Sequence, residues 1–294
     1  MGKIKVIILA AGFGERFSQS IDKSVDLSDT EKENFFFNDG TDKPKGLLKI
    51  GGKEILLRNI DQLREIREID LEKDVALITN HKYYKYFKEW MDQKELNIHV
   101  IDNGISEASE RKGAVVDLHD AVSKINLNNE EGVLVIGSDI LFDQFKIKEL
   151  IEAYDARGGE TSVFPIYSND GECASKVGIV DFDPETKFIS KFVEKPKESG
   201  SLKEFLVSPA LYLYNKEALG VLSKCIKEAR GRLSSLDSPS QFNEFLVKQE
   251  VKEANIEVLE VKGERFEISD YKDWRNANDY FYGNEAREHK MKWR

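Results

Sequence analysis

The stretch from Leu9 to Arg16 reads Leu-Ala-Ala-Gly-Phe-Gly-Glu-Arg and has the residue types of a phosphate-binding turn. An apolar run from Ile4 precedes it, so a buried strand should lead directly into the turn. Gly12 and Gly14 allow positive φ and leave room for a phosphate to approach backbone N–H groups. The guanidinium of Arg16 can hold phosphate oxygens through paired hydrogen bonds. Glycines at this spacing also occur in purely structural turns, and the motif alone leaves both interpretations open.

Two later segments carry side chains that suit phosphate and metal binding. Lys45 follows Pro44 and precedes an apolar stretch that should fix the direction of its ammonium group, although lysines in such runs also lie on solvated faces. Asp139 comes at the end of an apolar run from Val133, at the edge where open α/β sheets bind ligands. Because Mg²⁺ prefers one or two carboxylates with phosphate oxygens and water, Asp139 is predicted to bind metal, with a helix N-cap as the alternative.

Strand and helix patterns alternate in the first half of the chain. Strands are predicted from Ile4 to Leu9, Val75 to Thr79, Ile98 to Ile101 and Val133 to Ile136, with helices from Ile55 to Ile66, Tyr83 to Met91 and Val115 to Ile125. This alternation is typical of βαβ units. It predicts an α/β fold with a doubly wound, mostly parallel, Rossmann-like sheet.

After about residue 160 the pattern changes to short strands with short connections. These strands run from Thr161 to Tyr167, Val177 to Phe182, Phe188 to Val193 and Phe205 to Tyr214, and they are followed by helices from Lys216 to Lys227 and Pro239 to Lys248, a strand from Ile256 to Val261 and a helix from Tyr271 to Tyr282. They predict an added antiparallel or mixed sheet. We interpret residues 1–294 as a single domain, with a nucleotide-binding half at 1–160 and an acceptor-binding half at 161–294.

Residues 18–42 interrupt this organisation. The segment is polar and acidic, has no clear periodicity, and contains three consecutive phenylalanines from Phe35 to Phe37. A long loop beside a glycine-rich turn is often a lid. A disordered surface insertion is the equally open alternative.

Composition limits the classes of function. The 294 residues carry a formal net charge of −10, which argues against broad nucleic-acid binding. The longest apolar stretch, Val6 to Ala11, is far too short to span a membrane, and the N-terminus lacks a signal-peptide pattern. With only Cys173 and Cys225 present, we expect a reduced, cytoplasmic protein in which both cysteines are structural. The four histidines have no metal-binding spacing.

The motifs, taken in order, resemble those of the sugar-phosphate nucleotidylyltransferase family, which includes glucose-1-phosphate thymidylyltransferases and uridylyltransferases. The resemblance rests on the turn from Leu9 to Arg16, Pro44-Lys45, Ser138-Asp139, Glu194-Lys195-Pro196 and the segment from Phe266 to Ser269, and it extends from Ile4 to about Phe281. It implies a nucleotide-diphospho-sugar transferase type of fold. It also implies an enzyme that uses Mg²⁺ to transfer a nucleoside monophosphate from a nucleoside triphosphate to a sugar 1-phosphate, and a homo-oligomer.

The resemblance further implies a role for each matching residue. The nucleotide would be bound by Leu9, Ala10, Ala11, Gly12, Gly14, Lys112 and Gly113; catalysis would fall to Arg16, Lys45, Asp139 and Lys195; the acceptor would be bound by Gly178, Glu194 and Lys195; and Mg²⁺ would be shared by Asp139 and Glu267. For Glu194 a surface salt bridge with Lys191 or Lys197 is the alternative. For Lys112 it is a solvated position.

The chain departs from the family pattern at several points. Glu15 stands where Thr is usual, Ser138 where Gly is usual and Glu267 where Asp is usual, and about two dozen additional residues separate Arg16 from Lys45. These changes affect the expected substrate more than the fold. Two alternatives stay open: a cytidylyltransferase acting on phosphocholine or another non-sugar phosphate, and a catalytically weakened regulatory homologue. For phosphocholine, a cage for the ammonium could come from Phe35 to Phe37 or from Tyr83, Tyr84 and Tyr86.

Overall fold

A computed structural model of the protein describes residues 3–22, 26–125, 127, 132–168, 178–196, 205–248, 256–259 and 263–291. Its strands are β1 (Ile4–Ala10), β2 (Lys49–Ile50), β3 (Lys53–Glu54), β4 (Val75–Thr79), β5 (His99–Asp102), β6 (Gly132–Gly137), β7 (Ile140–Asp143), β8 (Ser162–Val163), β9 (Ile166–Ser168), β10 (Gly178–Phe182), β11 (Ile189–Glu194), β12 (Phe205–Ser208), β13 (Leu211–Tyr214), β14 (Glu257–Val258) and β15 (Glu264–Glu267).

The α-helices cover Glu15–Asp22, Asp29–Phe35, Ile55–Arg64, Leu71–Asp74, His81–Gln93, Ala114–Lys124, Ile147–Ala156, Lys216–Gly220, Leu222–Ala229, Ser240–Lys248 and Tyr271–Met291. Short 3-10 helices cover Lys45–Leu47, Ala108–Glu110 and Leu233–Ser235. In the part of the chain that the structure describes, none of the helices has both the length and the apolar character that a membrane crossing requires.

The central sheet has seven strands in the order β14-β8-β13-β6-β1-β4-β5. Each pair of neighbours is parallel except where β13 runs antiparallel between β6 and β8. Because the chain passes from β1 to one side of the sheet and returns to the other side at β6, a crevice opens at the carboxyl ends of these two strands. The predicted doubly wound, mostly parallel fold is confirmed.

Alternate residues of β1 face opposite sides of the sheet, as the period of a strand requires. Val6 and Ile8 pack into the core beneath the helices Ile55–Arg64 and His81–Gln93. Ile7 packs on the other face, with residues of the helices Ala114–Lys124 and Leu222–Ala229. Burial on both faces explains why the strand reads as a continuous apolar run.

A second sheet, of order β11-β10-β12-β9, is antiparallel throughout. The run from Phe205 to Tyr214, predicted as one strand, is divided at Pro209, which has no N–H group to donate. Its first part, β12, joins this second sheet, whereas β13 joins the central sheet. The second half of the chain therefore contributes to both sheets, and its division from the first half by function stays a prediction.

The described part of the segment 18–42 is structured. Helix Asp29–Phe35 begins with a reciprocal capping box between Ser28 and Glu31. A Ser-x-x-Glu sequence predicts such a start, and the sequence interpretation of this segment as a loop missed it. Leu27, Phe35 and Phe36 pack in one cluster with the C-terminal helix, which extends to Met291 rather than ending at Tyr282.

One further boundary differs from expectation. The helix predicted from Lys216 to Lys227 is broken at Val221 into two shorter helices. Of the two cysteines, Cys225 is buried and unpaired, which agrees with a structural role. Cys173 lies outside the described residues.

Candidate active site

A cleft of about 280 Å³ opens at the carboxyl ends of β1 and β6. Among the residues singled out from the sequence, its lining includes Leu9, Ala11, Gly12, Gly14, Arg16, Lys45, Asp139, Lys195 and Glu267. The structure thus gathers side chains from five separate stretches of the chain into one cavity. Ala10, Lys112, Gly113, Gly178 and Glu194 are not part of this lining.

Three carbonyl groups of the glycine-rich turn accept hydrogen bonds from side chains at the end of β4 and the start of the next helix. Thr79 Oγ1 donates to the carbonyl of Ala10 at 3.3 Å, Asn80 Nδ2 to that of Ala11 at 3.0 Å, and the Tyr83 hydroxyl to that of Phe13 at 3.2 Å. Within the described residues, the N–H groups of Gly12, Phe13 and Gly14 donate to no protein acceptor. Gly14 has φ +71°, a conformation that favours glycine. The turn therefore keeps its N–H groups available to an anion, beside the N-terminus of helix Glu15–Asp22.

Lys45 and Asp139 form an ion pair inside the cleft. Lys45 begins a short helical turn, and a Cβ on the next residue, Gly46, would lie 3.2 Å from both the Cβ and the carbonyl oxygen of Ser138. The glycine thus lets the lysine-bearing turn pack directly against the residue before Asp139. Both charged side chains are mostly shielded, with 18% exposure for Lys45 and 24% for Asp139.

Glu267 reaches the same place from the far end of the sequence. Strand β15 pairs antiparallel with β7, and the N–H of Ile268 donates to the carbonyl of Asp139 at 3.0 Å. Burial raises the pKa of Glu267, the guanidinium of Arg265 opposes that rise, and the charge of Asp139 adds to it. Two carboxylates near each other disfavour joint ionisation unless a cation lies between them.

The Asp139 and Glu267 pair fits a magnesium ion, which needs only one or two protein carboxylates. In the ranges covered by the structure, no cluster of three or more His, Cys, Asp or Glu residues forms a closed metal site. An open pair of this kind leaves coordination positions for phosphate and water.

Lys195 lies just after β11 and has φ +47°, a left-handed conformation that is uncommon for a residue with a side chain. Its Nζ lies 3.5 Å from Glu194 Oε1. The Glu194 side chain is only 7% exposed and also accepts a hydrogen bond from Ser240. Glu194 therefore interacts with Ser240 and Lys195 rather than with Lys191. Lys197 lies outside the described residues.

Gly178 is a glycine for a packing reason. It lies opposite Glu194 in the antiparallel register, and a Cβ there would lie 2.7 Å from the ring of Phe192. Gly113 has φ +97°, and its Cβ would approach the carbonyl oxygen of Leu236 to 2.3 Å. Both glycines permit a close approach of other segments that a side chain would prevent.

Arg111 bridges the rim of the cleft. Its Nη1 lies 3.2 Å from Glu15 Oε2 and its Nε lies 3.7 Å from Asp237 Oδ1. Arg111 therefore offsets the negative charge that Glu15 brings close to the glycine-rich turn.

Most of the chain matches a known protein family. Residues 41–255 of the chain match the family model described as nucleotidyl transferase. The chain belongs to the nucleotidyl transferase family. The match includes Lys45, Asp139 and Lys195, whereas Arg16 and Glu267 lie outside it.

Curated relatives of this nucleotidyl transferase include mannose-1-phosphate guanylyltransferase 1 of Arabidopsis thaliana, 26% identical over 219 residues. Another is the mannose-1-phosphate guanylyltransferase catalytic subunit beta of Dictyostelium discoideum, also 26% identical over 219 residues. Each match covers 74% of this chain and 51% of the relative. The chain therefore spans about half the length of these relatives.

Solved structures share the fold. One described as a glucose-1-phosphate thymidylyltransferase of Bacillus anthracis has a TM-score of 0.69 at 19% identity, covering 95% of both chains. The CTP:phosphocholine cytidylyltransferase of Streptococcus pneumoniae has a TM-score of 0.61 at 17% identity, covering 95% of this chain and 99% of the other. At these identities the likeness extends to the architecture of the nucleotidyl transferase and no further.

The sequence interpretation of this nucleotidyl transferase missed several cleft residues. Arg111, Asp117, Asp237 and Ser238 also line the cavity. Arg111 and Asp117 lie on either side of Lys112 and Gly113, the two residues of this stretch that were expected to bind the nucleotide. Nothing in the local sequence distinguishes Asp237, because its position depends on the close approach of Leu236 to Gly113.

Proposed function

We propose that this nucleotidyl transferase transfers a nucleoside monophosphate from a nucleoside triphosphate to a sugar 1-phosphate, producing a nucleoside diphosphate sugar and pyrophosphate. The observation that carries this proposal is the convergence of Arg16, Lys45 and Lys195 on one cleft with Asp139 and Glu267. Two polyanionic substrates repel each other, and cations gathered in one cavity reduce that repulsion. The sugar-phosphate specificity named for the curated relatives supports the same conclusion.

The reaction is an in-line displacement at phosphorus. A phosphate oxygen of the acceptor attacks the α-phosphorus, a new P–O bond forms, and the bond to the bridging oxygen between the α- and β-phosphates breaks as pyrophosphate leaves. A phosphate monoester is mostly dianionic at neutral pH, so the attacking oxygen needs no strong general base. Positioning and charge stabilisation supply most of the catalysis.

Each cation has a distinct task in this proposal. The N–H groups of the turn at Gly12 and Gly14 bind the phosphates of the triphosphate, and Arg16 neutralises their charge. Lys45, directed by its turn against Ser138, holds the oxygens at the reacting phosphorus. Lys195 binds the phosphate of the acceptor.

Asp139 and Glu267 would hold the magnesium ion. When bound, the ion supplies positive charge to the phosphate oxygens. The pairing of β15 with β7 keeps the two carboxylates at this position before any substrate arrives.

The phosphocholine alternative loses its proposed cage for the ammonium group. Phe35 is buried in the core beside Trp274, and Phe37 stacks on Tyr86 with ring centroids 3.9 Å apart. Tyr83 is also buried and holds the turn from behind. None of these rings lines the cleft.

The presence of Arg16, Lys45 and Lys195 in the cleft disfavours the alternative of a catalytically weakened regulatory homologue. We further propose that the enzyme acts in the cytoplasm as a homo-oligomer.

A substrate panel tests the proposal. Purified protein with MgCl₂ is given each nucleoside triphosphate together with glucose 1-phosphate, mannose 1-phosphate or phosphocholine, and pyrophosphate release is measured. We expect release with a sugar 1-phosphate and none with phosphocholine. Nucleotide binding without turnover across the panel would favour the regulatory alternative.

Site variants test the assigned residues. Asp139→Ala and Lys195→Ala should each lower kcat by about 100-fold or more, because the first removes a proposed magnesium ligand and the second removes the cation that binds the acceptor phosphate. The matched control, Lys191→Ala, removes an exposed lysine from β11 and should leave kcat unchanged. Near-normal rates for both site variants would overturn the assignment, provided that their melting temperatures match the wild type.

A further inference from the structure

Asp117 lines the cleft, although the proposed reaction gives it no part in binding phosphate or magnesium. It lies in the first turn of helix Ala114–Lys124, and its hydrogen bond with Asn103 places it beside the loop that follows β5. The proposed magnesium ligands, Asp139 and Glu267, lie on the opposite side of the cleft, around β6 and β7. The carboxylate therefore belongs to a part of the cavity away from the proposed magnesium ligands.

The orientation of this carboxylate is fixed. Asn103 Nδ2 donates to Asp117 Oδ1 at 2.8 Å, and Asn103 Oδ1 accepts from the N–H of Ile105 at 2.9 Å. In the portion of the chain with described positions, Asn103 provides the one hydrogen bond to the Asp117 carboxylate. Lone pairs on both oxygens remain available for a ligand.

A nucleobase is the part of the substrate that suits this position. Phosphate is excluded because like charges repel in a shielded cleft. Leu9, Ala11 and Ala114 line the same cleft and offer apolar surface for a flat ring. The acceptor sugar would lie on the other side, near Lys195.

The chemistry of a carboxylate selects among the bases, because it accepts hydrogen bonds and donates none. Guanine presents two adjacent donors, N1–H and the 2-amino group. Adenine and cytosine present an amino group beside a ring acceptor, and uracil and thymine present one N–H between two carbonyls. We infer that Asp117 selects guanine, so that the nucleotide substrate of the proposed reaction, on which this inference rests, is GTP.

Analogues of GTP test the contact atom by atom. The wild type should use GTP with a kcat/KM at least tenfold above that for ITP, which lacks the 2-amino group, and above that for XTP, which has a carbonyl there. Asp117→Asn places an amide N–H where it can donate to that carbonyl, so we expect the preference between GTP and XTP to reverse. Equal use of pyrimidine triphosphates by the wild type, or an equal loss for all triphosphates in the variant, would overturn the inference.

Asp120→Asn is the matched control. It removes the same charge from the same helix, but Asp120 does not line the cleft. The control should keep the wild-type order of GTP, ITP and XTP. A reversal in this variant as well would assign the effect to helix charge and refute a direct contact.

Binding without turnover separates this inference from the proposed function. Calorimetric titration with GDP, IDP, ADP, CDP and UDP, in the absence of acceptor, should give the tightest binding for GDP and a selective loss in Asp117→Asn. If GDP binds selectively but no sugar 1-phosphate reacts, the proposed function fails and the base assignment stands. If a sugar 1-phosphate reacts equally well with other triphosphates, the base assignment fails and the proposed function stands.

Discussion

Phe35 lies edge-on against Trp274, with ring centroids 4.7 Å apart. The first residue belongs to the segment 18–42, which follows the glycine-rich turn, and the second to the C-terminal helix. Glu31 adds a hydrogen bond from the Tyr271 hydroxyl at 2.7 Å. The described part of the segment therefore fastens the helix after the glycine-rich turn to the C-terminal helix, and it does not act as a free loop.

Replacing Phe35 with Ala should lower the free energy of unfolding by about 3–5 kcal/mol, because it leaves a cavity among buried rings. Phe35 is 2% exposed and also packs edge-on against Phe17. Urea denaturation measures the change. Lys32→Ala, on the solvated side of the same helix, is the control and should change stability by less than about 0.5 kcal/mol. A loss below about 1 kcal/mol for Phe35→Ala would mean that this segment is not anchored.

Lys195 offers a way to separate backbone strain from charge. Its φ of +47° costs a residue with a side chain on the order of 1 kcal/mol, whereas glycine adopts this conformation freely. Lys195→Gly should therefore be more stable than Lys195→Ala by about 1 kcal/mol. Both variants lose the ammonium group and should share the same low kcat. Chemical denaturation measures the difference in stability and steady-state kinetics measures kcat. Equal stability of Lys195→Gly and Lys195→Ala would contradict the strain.

The Arg111 and Glu15 pair should matter for nucleotide binding more than for folding. Removing Arg111 leaves the Glu15 carboxylate uncompensated beside the triphosphate, so Arg111→Ala should raise the KM for the triphosphate by about tenfold. The double variant with Glu15→Gln should recover most of that loss. Arg64→Ala, which removes an exposed arginine paired with Asp61, serves as the control. Additive effects of the two substitutions in a double-mutant cycle would argue against coupling.

Asp117 should make stability depend on pH. Burial raises its pKa from an ordinary 3.8 to about 6, with a hydrogen bond from Asn103 opposing the rise and the charge of Asp120 adding to it. Between these two values the folded protein keeps a proton that the unfolded chain has lost. The free energy of unfolding therefore falls as pH rises from about 4 to 6, and the full penalty remains above that range.

Asp117→Asn removes this penalty. At pH 7.5 the variant should be more stable than the wild type, by on the order of 2 kcal/mol, and the difference should shrink to a small fraction of that near pH 4. Urea denaturation at the two pH values measures it. Glu152→Gln, which alters an exposed carboxylate, should track the wild type at both. A difference that does not change with pH would rule out titration of Asp117 as the cause.

The sequence predicts the central strands well, because continuous burial leaves a clear apolar pattern. The expected strand from Val75 to Thr79 coincides with β4 at both ends, and β1 differs by one residue. Positions set by tertiary contacts could not be predicted in this way. Division of the run at Pro209 between two sheets depends on where each half finds a partner, and periodicity carries no such information.

The candidate site was predictable where a motif follows a strand. Arg16, Lys45 and Asp139 were found because glycines, a proline and a strand end mark their positions. Asp117 was missed because one acidic residue in a helical pattern resembles a solvated position. Its orientation depends on Asn103, which lies in another loop, and only the packing of the helix onto the sheet brings the two together.

The backbone hydrogen bond from Ile268 to Asp139 ties this carboxylate to the C-terminal segment, and the pairing of β1 with β6 ties it to the N-terminal segment. A fragment cut to the span of the family model, residues 41–255, would lack β1 from the middle of the sheet and β15 from its partner β7. It would retain Lys45, Asp139 and Lys195 in sequence while losing the strands that aim them at one another. Any shortened version for screening or engineering should therefore keep both outer segments, since the active-site cleft is closed by residues that are farthest apart along the polypeptide.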